Sequence, residues 1–494
     1  MATIREDLIF ATIQKAFALN NYNKNLDKQY KFMRQTILKD KSLTKDEKLV
    51  AIKKLSKNHD IDKIRHNEGK RRICNDCEEE CLATLYCEYC VRNYLKQKFS
   101  YWTSGNNDVN DLIQKCQMES LAPNKIVEWI PYKNIQNIKY LTRGGFSEIY
   151  TAEWIGGQYY EWDSIKQQLK RYGTRNVILK RLENVESANR SWFEEAKSHL
   201  IINNKWSEIV PCYGLTQDPS DGSYMLVMRE LDTNLREYLR QNKNKLTWKE
   251  KIKITVDIID ALNRIHKENV IHRDLHSGNI LYLKYTNYWF ISDLGFCGPA
   301  NKPLKSIYGN LPYIAPEIII GKEYTKASDV YSIAMLMWEI SSGQPPFANY
   351  EDEYDLAIDI VNGVRPKIVP GTPPKYKELI ERCWDADPTK RYDINTLLNT
   401  IDCINKSYYQ NTPDGHKNMV SKFLKKFKKI NNKLDNSHNS KIISYYSSSS
   451  KLLTSRVYQF IDLPGSGITE EGQEAYHSKP YSFNIPENSE YFYR

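Results

Sequence analysis

The sequence predicts an α+β fold, strands first and helices after, preceded by a helical arm and a small cysteine-rich segment. Three observations predict it. From residue 135 onward, short apolar runs suit strands: Ile138 to Leu141, Glu148 to Glu153, Val177 to Lys180 and Met225 to Met228. Farther on, apolar residues recur at helical spacing through Lys251–His266 and Asp329–Ile340, so strands and helices segregate instead of alternating. Ahead of both, a capping box and a knot of cysteines mark two further units.

The 494 residues carry 71 Lys+Arg against 61 Asp+Glu, a formal net charge of +10. Length alone suggests roughly two to four domains. The charge is uneven: residues 1–73 hold 18 basic and 9 acidic side chains, residues 404–494 hold 13 and 8, and the middle is slightly acidic. The basic excess therefore belongs to the two ends and not to the central domain. No apolar stretch reaches the about 18 residues of a membrane-spanning helix. Arg5, Glu6 and Asp7 interrupt the start of the chain, which lacks a signal-peptide apolar core, so a cytoplasmic location is expected, with the nucleus second.

Residues 1–70 read as a basic helical arm. Thr44-Lys45-Asp46-Glu47 is a capping box, and Leu49, Val50, Ile52 and Leu55 follow at helical spacing. Its lysines and arginines are interleaved with acids, which suits a solvated helix surface. Residues 71–98 contain Cys74-x2-Cys77 and, nine residues later, Cys87-x2-Cys90. Two residues between thiolates let a tight knuckle aim both sulfurs at one ion, and two knuckles complete a tetrahedron around Zn2+ in a structural role. Binding would fold a segment too small for its own core. Cys81 is either an alternative ligand or a spare thiol. Residues 99–134 read as a connector whose Val109, Leu112, Ile113 and Cys116 form one helix face, broken at Trp129-Ile130-Pro131. Residues 404–494 are a polar tail expected to be mostly disordered, with a lysine run from Lys417 to Lys433, then Tyr445-Tyr446 and Ser447 to Ser450.

The chemistry lies in residues 135–403. There stand Val177-Ile178-Leu179-Lys180, then Ile271-His272-Arg273-Asp274-Leu275-His276-Ser277-Gly278-Asn279, then Asp293-Leu294-Gly295, then Ala315-Pro316-Glu317. In this order and spacing they resemble the protein kinase family. The resemblance covers about 270 residues and implies a bilobal fold, with a β-rich first lobe and a helical second, that uses ATP and Mg2+ on a protein substrate. Phosphoryl transfer needs the triphosphate held, its charge neutralised and an acceptor hydroxyl aligned. The resemblance assigns those tasks. Lys180 grips the phosphates, with Glu195 as its partner and Glu194 the alternative. Asp274 is the catalytic base. Asn279 and Asp293 ligate Mg2+ through hard oxygens. Thr142, Gly144 and Gly145 line the phosphate loop, where Thr142 and Ser147 replace two of the family's glycines. Met228 guards the nucleotide pocket, and Arg229, Glu230 and Leu231 form the hinge that meets adenine. Glu317 pairs with Arg391, and Asp329 ties down the catalytic loop.

Arg273 commonly reads a phosphate on the activation segment in such kinases, which offers Ser306 and Tyr308 here as regulatory positions. Tyr313-Ile314-Ala315-Pro316-Glu317 resembles serine/threonine kinases, while Cys383-Trp384-Asp385 resembles tyrosine kinases and the tyrosine-kinase-like group. His276 stands where serine/threonine kinases usually place lysine, and Asn310 where they place threonine. The whole layout resembles a fungal tyrosine-kinase-like group with cysteine knuckles. The expected acceptor is Ser/Thr, with dual specificity open and a role in intracellular signalling. The alternative is a scaffold that binds ATP or partners without efficient turnover. The insertion between Trp154 and Asn176 is long and rich in Tyr, Trp and Lys, with no function assigned. No specific nucleic-acid partner is expected, because the knuckles lack the His-bearing helix of DNA-reading fingers. The arm and tail are left as surfaces for signalling partners, or for weak peripheral contact of Lys422–Lys429 with anionic membranes.

Overall fold

A computed structural model describes residues 4–20, 25–144, 147–183, 191–243, 245–299, 307–410, 455–458 and 479–481. Gly145, Ser306, the lysine run 417–433 and Tyr445–Ser450 lie outside them.

The arm is three helices: α1 (Glu6–Leu19), α2 (Leu26–Lys39) and α3 (Lys45–His66). Leu8, Ile9, Ile13, Met33, Ile37 and Leu55 form its own small core. Thr44 caps α3: its side chain accepts the Glu47 N–H, and the Glu47 carboxylate accepts the Thr44 N–H at 2.8 Å. Leu49 departs from the expected stripe; it is 60% exposed, and Ala51 and Leu55 face inward instead. The periodic run contained one apolar residue too many for a single face.

The cysteine segment is a short hairpin, β1 (Arg72–Ile73) and β2 (Glu80–Cys81), followed by α4 (Glu88–Lys98), which begins directly after Cys87. It does not stand alone. Its buried cysteines pack with Ile61 of α3, with Leu121 and Ile126, and with Trp162 and Leu169 of the insertion. The segment, too small for a core of its own, shares one with its neighbours. The insertion is itself a hairpin, β6 (Tyr159–Asp163) paired with β7 (Gln168–Arg171), and its Trp162 ring meets Tyr94 edge-on.

Helix α5 (Asn107–Met118) carries the connector's apolar face, and the next strand β3 (Glu128–Trp129) joins the first lobe. That lobe is a six-stranded sheet in the order β3-β9-β10-β8-β5-β4, with β4 (Ile135–Arg143), β5 (Glu148–Trp154), β8 (Arg175–Arg181), β9 (Cys212–Gln217) and β10 (Tyr224–Arg229). Neighbouring strands run antiparallel except β3 and β9, which are parallel. Trp129 therefore contributes to an edge strand, where a break was expected. Gly214, at φ +144°, makes this possible: a Cβ there would sit 1.8 Å from the Glu128 carbonyl oxygen. One helix, α6 (Trp192–Lys205), backs the sheet.

The second lobe is helical: α7 (Leu235–Gln241), α8 (Trp248–Lys267), α9 (Pro316–Ile319), α10 (Lys326–Ser342), α11 (Glu353–Val361), α12 (Pro374–Cys383) and α13 (Ile394–Gln410). Thr247 and Glu250 cap α8 reciprocally. Helix α10 is buried around nearly its whole circumference, so it shows little amphipathic pattern. A small sheet, β11 (Thr233–Asn234), β13 (Ile280–Leu283) and β14 (Tyr288–Ile291), floors the cleft, while β12 (Val270–Ile271) pairs with β15 (Gly298–Pro299). Two tail fragments lie on this lobe: β18 (Arg456–Tyr458) beside β16 (Ile307–Gly309), and β19 (Lys479–Tyr481) beside β17 (Val364–Pro366).

The arm docks on both lobes. Gln14 Nε2 donates to the Thr286 and Asn287 carbonyls at 2.9 and 2.8 Å, and Phe10 meets Tyr285 edge-on. Much of the arm's positive charge is therefore spoken for, as in Arg5–Glu47, Lys54–Glu6 and Lys53–Glu161.

The Arg5 hydrogen bond holds the Glu47 carboxyl at about 2, below its ordinary 4.5. A depressed carboxylate stabilises the fold above its unfolded value and loses that effect as pH falls through its folded value. Glu47→Gln is expected to destabilise the arm by about 1–2 kcal/mol at pH 7. Urea unfolding of both proteins across pH should show this gap shrinking between pH 4.5 and about 2.

Candidate active site

The cleft between the lobes holds a cavity of about 560 Å³ that runs from Thr142, Gly144 and Ser147 past Lys180 and Met228 to Asp274, Asn279 and Asp293. Lys180 lies on β8, so strand geometry aims it inward. Its Nζ sits 2.8 Å from Glu195 Oε1 and 2.7 Å from Asp293 Oδ1. Glu195, on α6, is buried, whereas Glu194 is exposed beside Lys197. Of the two glutamates, the fold brings Glu195 to Lys180.

Asp274 is 3% exposed. The Asn279 amide donates to the Asp274 carbonyl at 2.9 Å and to Asp274 Oδ2 at 3.3 Å, which leaves the amide oxygen of Asn279 for the cavity. Asp293 Oδ1 also accepts the Gly295 N–H at 3.1 Å. The residue after it, Leu294, is fully buried in the second-lobe core and donates its N–H to His199 Nε2 at 3.2 Å.

Two of these loops carry backbone strain. Arg273 and Asp293 have φ of +69° and +55°, in the left-handed region that L side chains seldom adopt. Asp329 holds the first in place: its Oδ2 accepts the His272 N–H at 2.8 Å, its Oδ1 the Arg273 N–H at 2.9 Å, and His266 bonds the same carboxylate at 2.8 Å. Burial opposes ionisation of Asp329, yet these bonds and the nearby histidines hold its carboxyl below the ordinary value. Below the cleft, Arg391 forks onto Glu317 at 2.6 and 2.7 Å, both buried.

Met228 is buried beside the hinge, and Leu231 lines the cavity. Glu230 is half-buried and does not line the cavity; burial raises its carboxyl. The phosphate loop turns tightly, with Gly144 donating its N–H to the Ser147 carbonyl at 2.9 Å. Tyr308 is buried and points inward, its hydroxyl 3.2 Å from Asp274 Oδ2 and its ring stacked on Phe296. Arg273 is buried against the Phe296 carbonyl and near the Tyr324 ring.

Three sets of residues escaped the sequence reading. Ile149, Ile178 and Leu281 supply apolar walls of the cavity. Alternation along the strands was the available signal, because Ile178 precedes Lys180 by two and Leu281 follows Asn279 by two. Arg65 of α3 and Lys125 of the connector donate to the Lys205, Asn203 and Trp206 carbonyls, capping the C-terminal end of α6 with positive charge. Ser455, in the tail, lies on Asp274 and His276. No local pattern marks the last two sets.

The cysteine cluster is the second site. Cys74, Cys77, Cys87 and Cys90 converge, with Cys74 and Cys90 sulfurs 3.7 Å apart and Cys77 and Cys87 sulfurs 3.6 Å apart. Cys81 falls outside this foursome, buried beside Cys87 and Glu88.

A family model described as protein tyrosine and serine/threonine kinase matches residues 135–401. The chain belongs to this kinase family. Individual kinases match as well. A probable serine/threonine-protein kinase, roco5 of Dictyostelium discoideum, is 28% identical over 69% of this chain and 12% of its own. The serine/threonine-protein kinase STY17 of Arabidopsis thaliana is 25% identical over 62% of this chain and 50% of its own. A dual serine/threonine and tyrosine protein kinase of Macaca mulatta is 31% identical over 38% and 21%. The chain thus spans half or less of the length of each of these relatives.

Asp329→Asn would turn an amide N–H2 toward backbone donors that now bond a carboxylate. The kinase should lose about 3 kcal/mol, a fall of about 6–12 °C in thermal midpoint measured by fluorescence.

Proposed function

We propose that this kinase transfers the γ-phosphoryl group of ATP to Ser/Thr hydroxyls of protein substrates. The observation that carries it is that Lys180, paired with Glu195 and Asp293, opens on one continuous cavity with Asp274, Asn279 and Asp293. Lys180, positioned by Glu195, grips the phosphates. Asp274 accepts the proton of the acceptor hydroxyl. The Asn279 amide oxygen and the Asp293 carboxylate fit Mg2+, which neutralises phosphate charge when bound. Thr142 and Gly144 cover the phosphates, and Met228 and Leu231 flank the adenine end.

The Cys383-Trp384-Asp385 motif supports membership of the tyrosine-kinase-like group, and the mixed signature at His276 and Asn310 supports keeping tyrosine as a second acceptor. The four converging thiols support a structural Zn2+: a tetrahedron of sulfurs about 2.3 Å from zinc has edges of about 3.8 Å. Cys74, Cys77, Cys87 and Cys90 would hold it and leave no open position. A reducing compartment, cytoplasmic or nuclear, suits ten unpaired cysteines. Signalling partners would meet the arm and the tail.

Profiling of the full chain on an arrayed peptide library with ATP and Mg2+ should yield labelled Ser/Thr peptides, and Asp293→Asn should cut the rate at least 100-fold. Equal rates for the two proteins would favour a non-catalytic scaffold. Purified protein should contain about one zinc per chain by elemental analysis. Replacing Cys74 and Cys77 by Ser should remove it.

A further inference from the structure

The tail fragment 455–458 is seated in the cleft where a protein substrate would lie. Strand β18 extends the activation segment in antiparallel register, with Ile307 opposite Tyr458, Tyr308 opposite Val457 and Gly309 opposite Arg456. Adding a strand to an exposed edge is a standard way to bind an extended peptide, with the backbone giving affinity and side-chain anchors giving register. Both anchors are present. Tyr458 is 6% exposed and packs into the second-lobe core. Arg456 Nη1 pairs with Glu353 Oε1 at 2.9 Å.

This register brings Ser455 to the catalytic loop. Its Oγ lies 2.8 Å from Asp274 Oδ1 and 3.0 Å from His276 Nε2. The proton positions follow from the neighbours. Gly278 N–H donates to His276 Nδ1 at 3.1 Å, so that nitrogen is an acceptor and the ring proton sits on Nε2. His276 therefore donates to Ser455 Oγ, and the Ser455 hydroxyl donates to Asp274. One lone pair of Oγ stays available, and the cavity that holds Lys180 and Asp293 opens onto Ser455.

We propose that Ser455 is this kinase's own phosphoacceptor in cis, and that residues 455–458 are a built-in substrate that blocks the cleft until they are phosphorylated. The proposal rests on the protein-kinase reading. Ser455 Oγ forms a bond to the γ-phosphorus of ATP as the bond from that phosphorus to the β,γ-bridging oxygen breaks. The electron pair leaves with ADP, and the hydroxyl proton passes to Asp274. The product carries a charge of about −1.5 to −2 next to the Asp274 carboxylate, so the docked state becomes repulsive and the strand leaves. Ser455 and Asp274 belong to one chain, so the transfer is intramolecular and first-order in protein.

The test uses phosphatase-treated full chain with ATP and Mg2+, and a synthetic peptide of residues 450–462 as external substrate. Mass spectrometry should locate phosphate on Ser455, at a first-order rate unchanged over a 100-fold range of protein concentration. Peptide phosphorylation should show a lag that preincubation with ATP removes. Ser455→Ala keeps the anchors and should stay slow, at least tenfold below preincubated wild type. Arg456→Ala with Tyr458→Ala should start at least tenfold faster than untreated wild type and label Ser455 at least tenfold more slowly. An unmodified Ser455 in protein that phosphorylates the peptide without lag overturns the proposal, as does a Ser455 rate proportional to protein concentration; both leave the kinase reading standing. Failure of every variant, the anchor-free one included, to label any peptide of the library overturns both.

Discussion

The Lys180 ammonium is buried between two carboxylates, Glu195 on the first-lobe helix and Asp293 at the root of the activation segment. Lys180 and Glu195 are taken out of water and hold their places only while each keeps its partner, whereas Asp293 is 31% exposed at the cavity. Removing Lys180 would leave the buried Glu195 carboxylate uncompensated, typically worth about 3–5 kcal/mol. The triad therefore couples the sheet, helix α6 and the cleft floor, and whatever sets α6 sets the site.

Here α6 is set from outside the kinase domain. Val109, Leu112, Ile113 and Cys116 of α5 pack against Ala196 and Leu200 of α6, and Asn204 donates to the Cys116 carbonyl at 3.0 Å. Arg65 and Lys125 cap its C-terminal end. The cysteine segment ties these pieces together. Thr84 and Leu85 donate to the Asp60 carboxylate of α3, while Lys63 donates to the Leu82 carbonyl. The insertion hairpin closes the ring: Arg171 pairs with Glu128 of β3, and Trp162 fills the cysteine core. A segment whose sequence suggested no role is thus a strut between the knuckles and the sheet.

Much of the candidate site was readable in advance, because the proposed phosphoryl transfer demands particular chemistry at particular spacings. Lys180 ends a strand, Asn279 lies five residues past Asp274 on one loop, and Asp293 opens the next; such short-range constraints leave a trace along the chain. The choice of Glu195 over Glu194 was a helix-face question, and one face alone reaches Lys180. What the reading missed had no short-range trace. Arg65 is 140 residues from the carbonyl it caps, and Ser455 is 181 residues from Asp274. Tyr308 was offered as a regulatory position, and the fold places its hydroxyl 3.2 Å from Asp274 Oδ2.

The sequence by itself determined the α+β class, the kinase motifs, the four paired cysteines and the uneven charge. These follow from periodicity, from ligand spacing and from composition, all local quantities. The tertiary structure alone decided that the basic arm spends much of its charge on internal partners, that the connector and knuckles brace α6, and that the tail's Ser455 reaches Asp274. Each is a contact between segments far apart in the chain, and its energy comes from burial and hydrogen bonding that exist only once the lobes have packed.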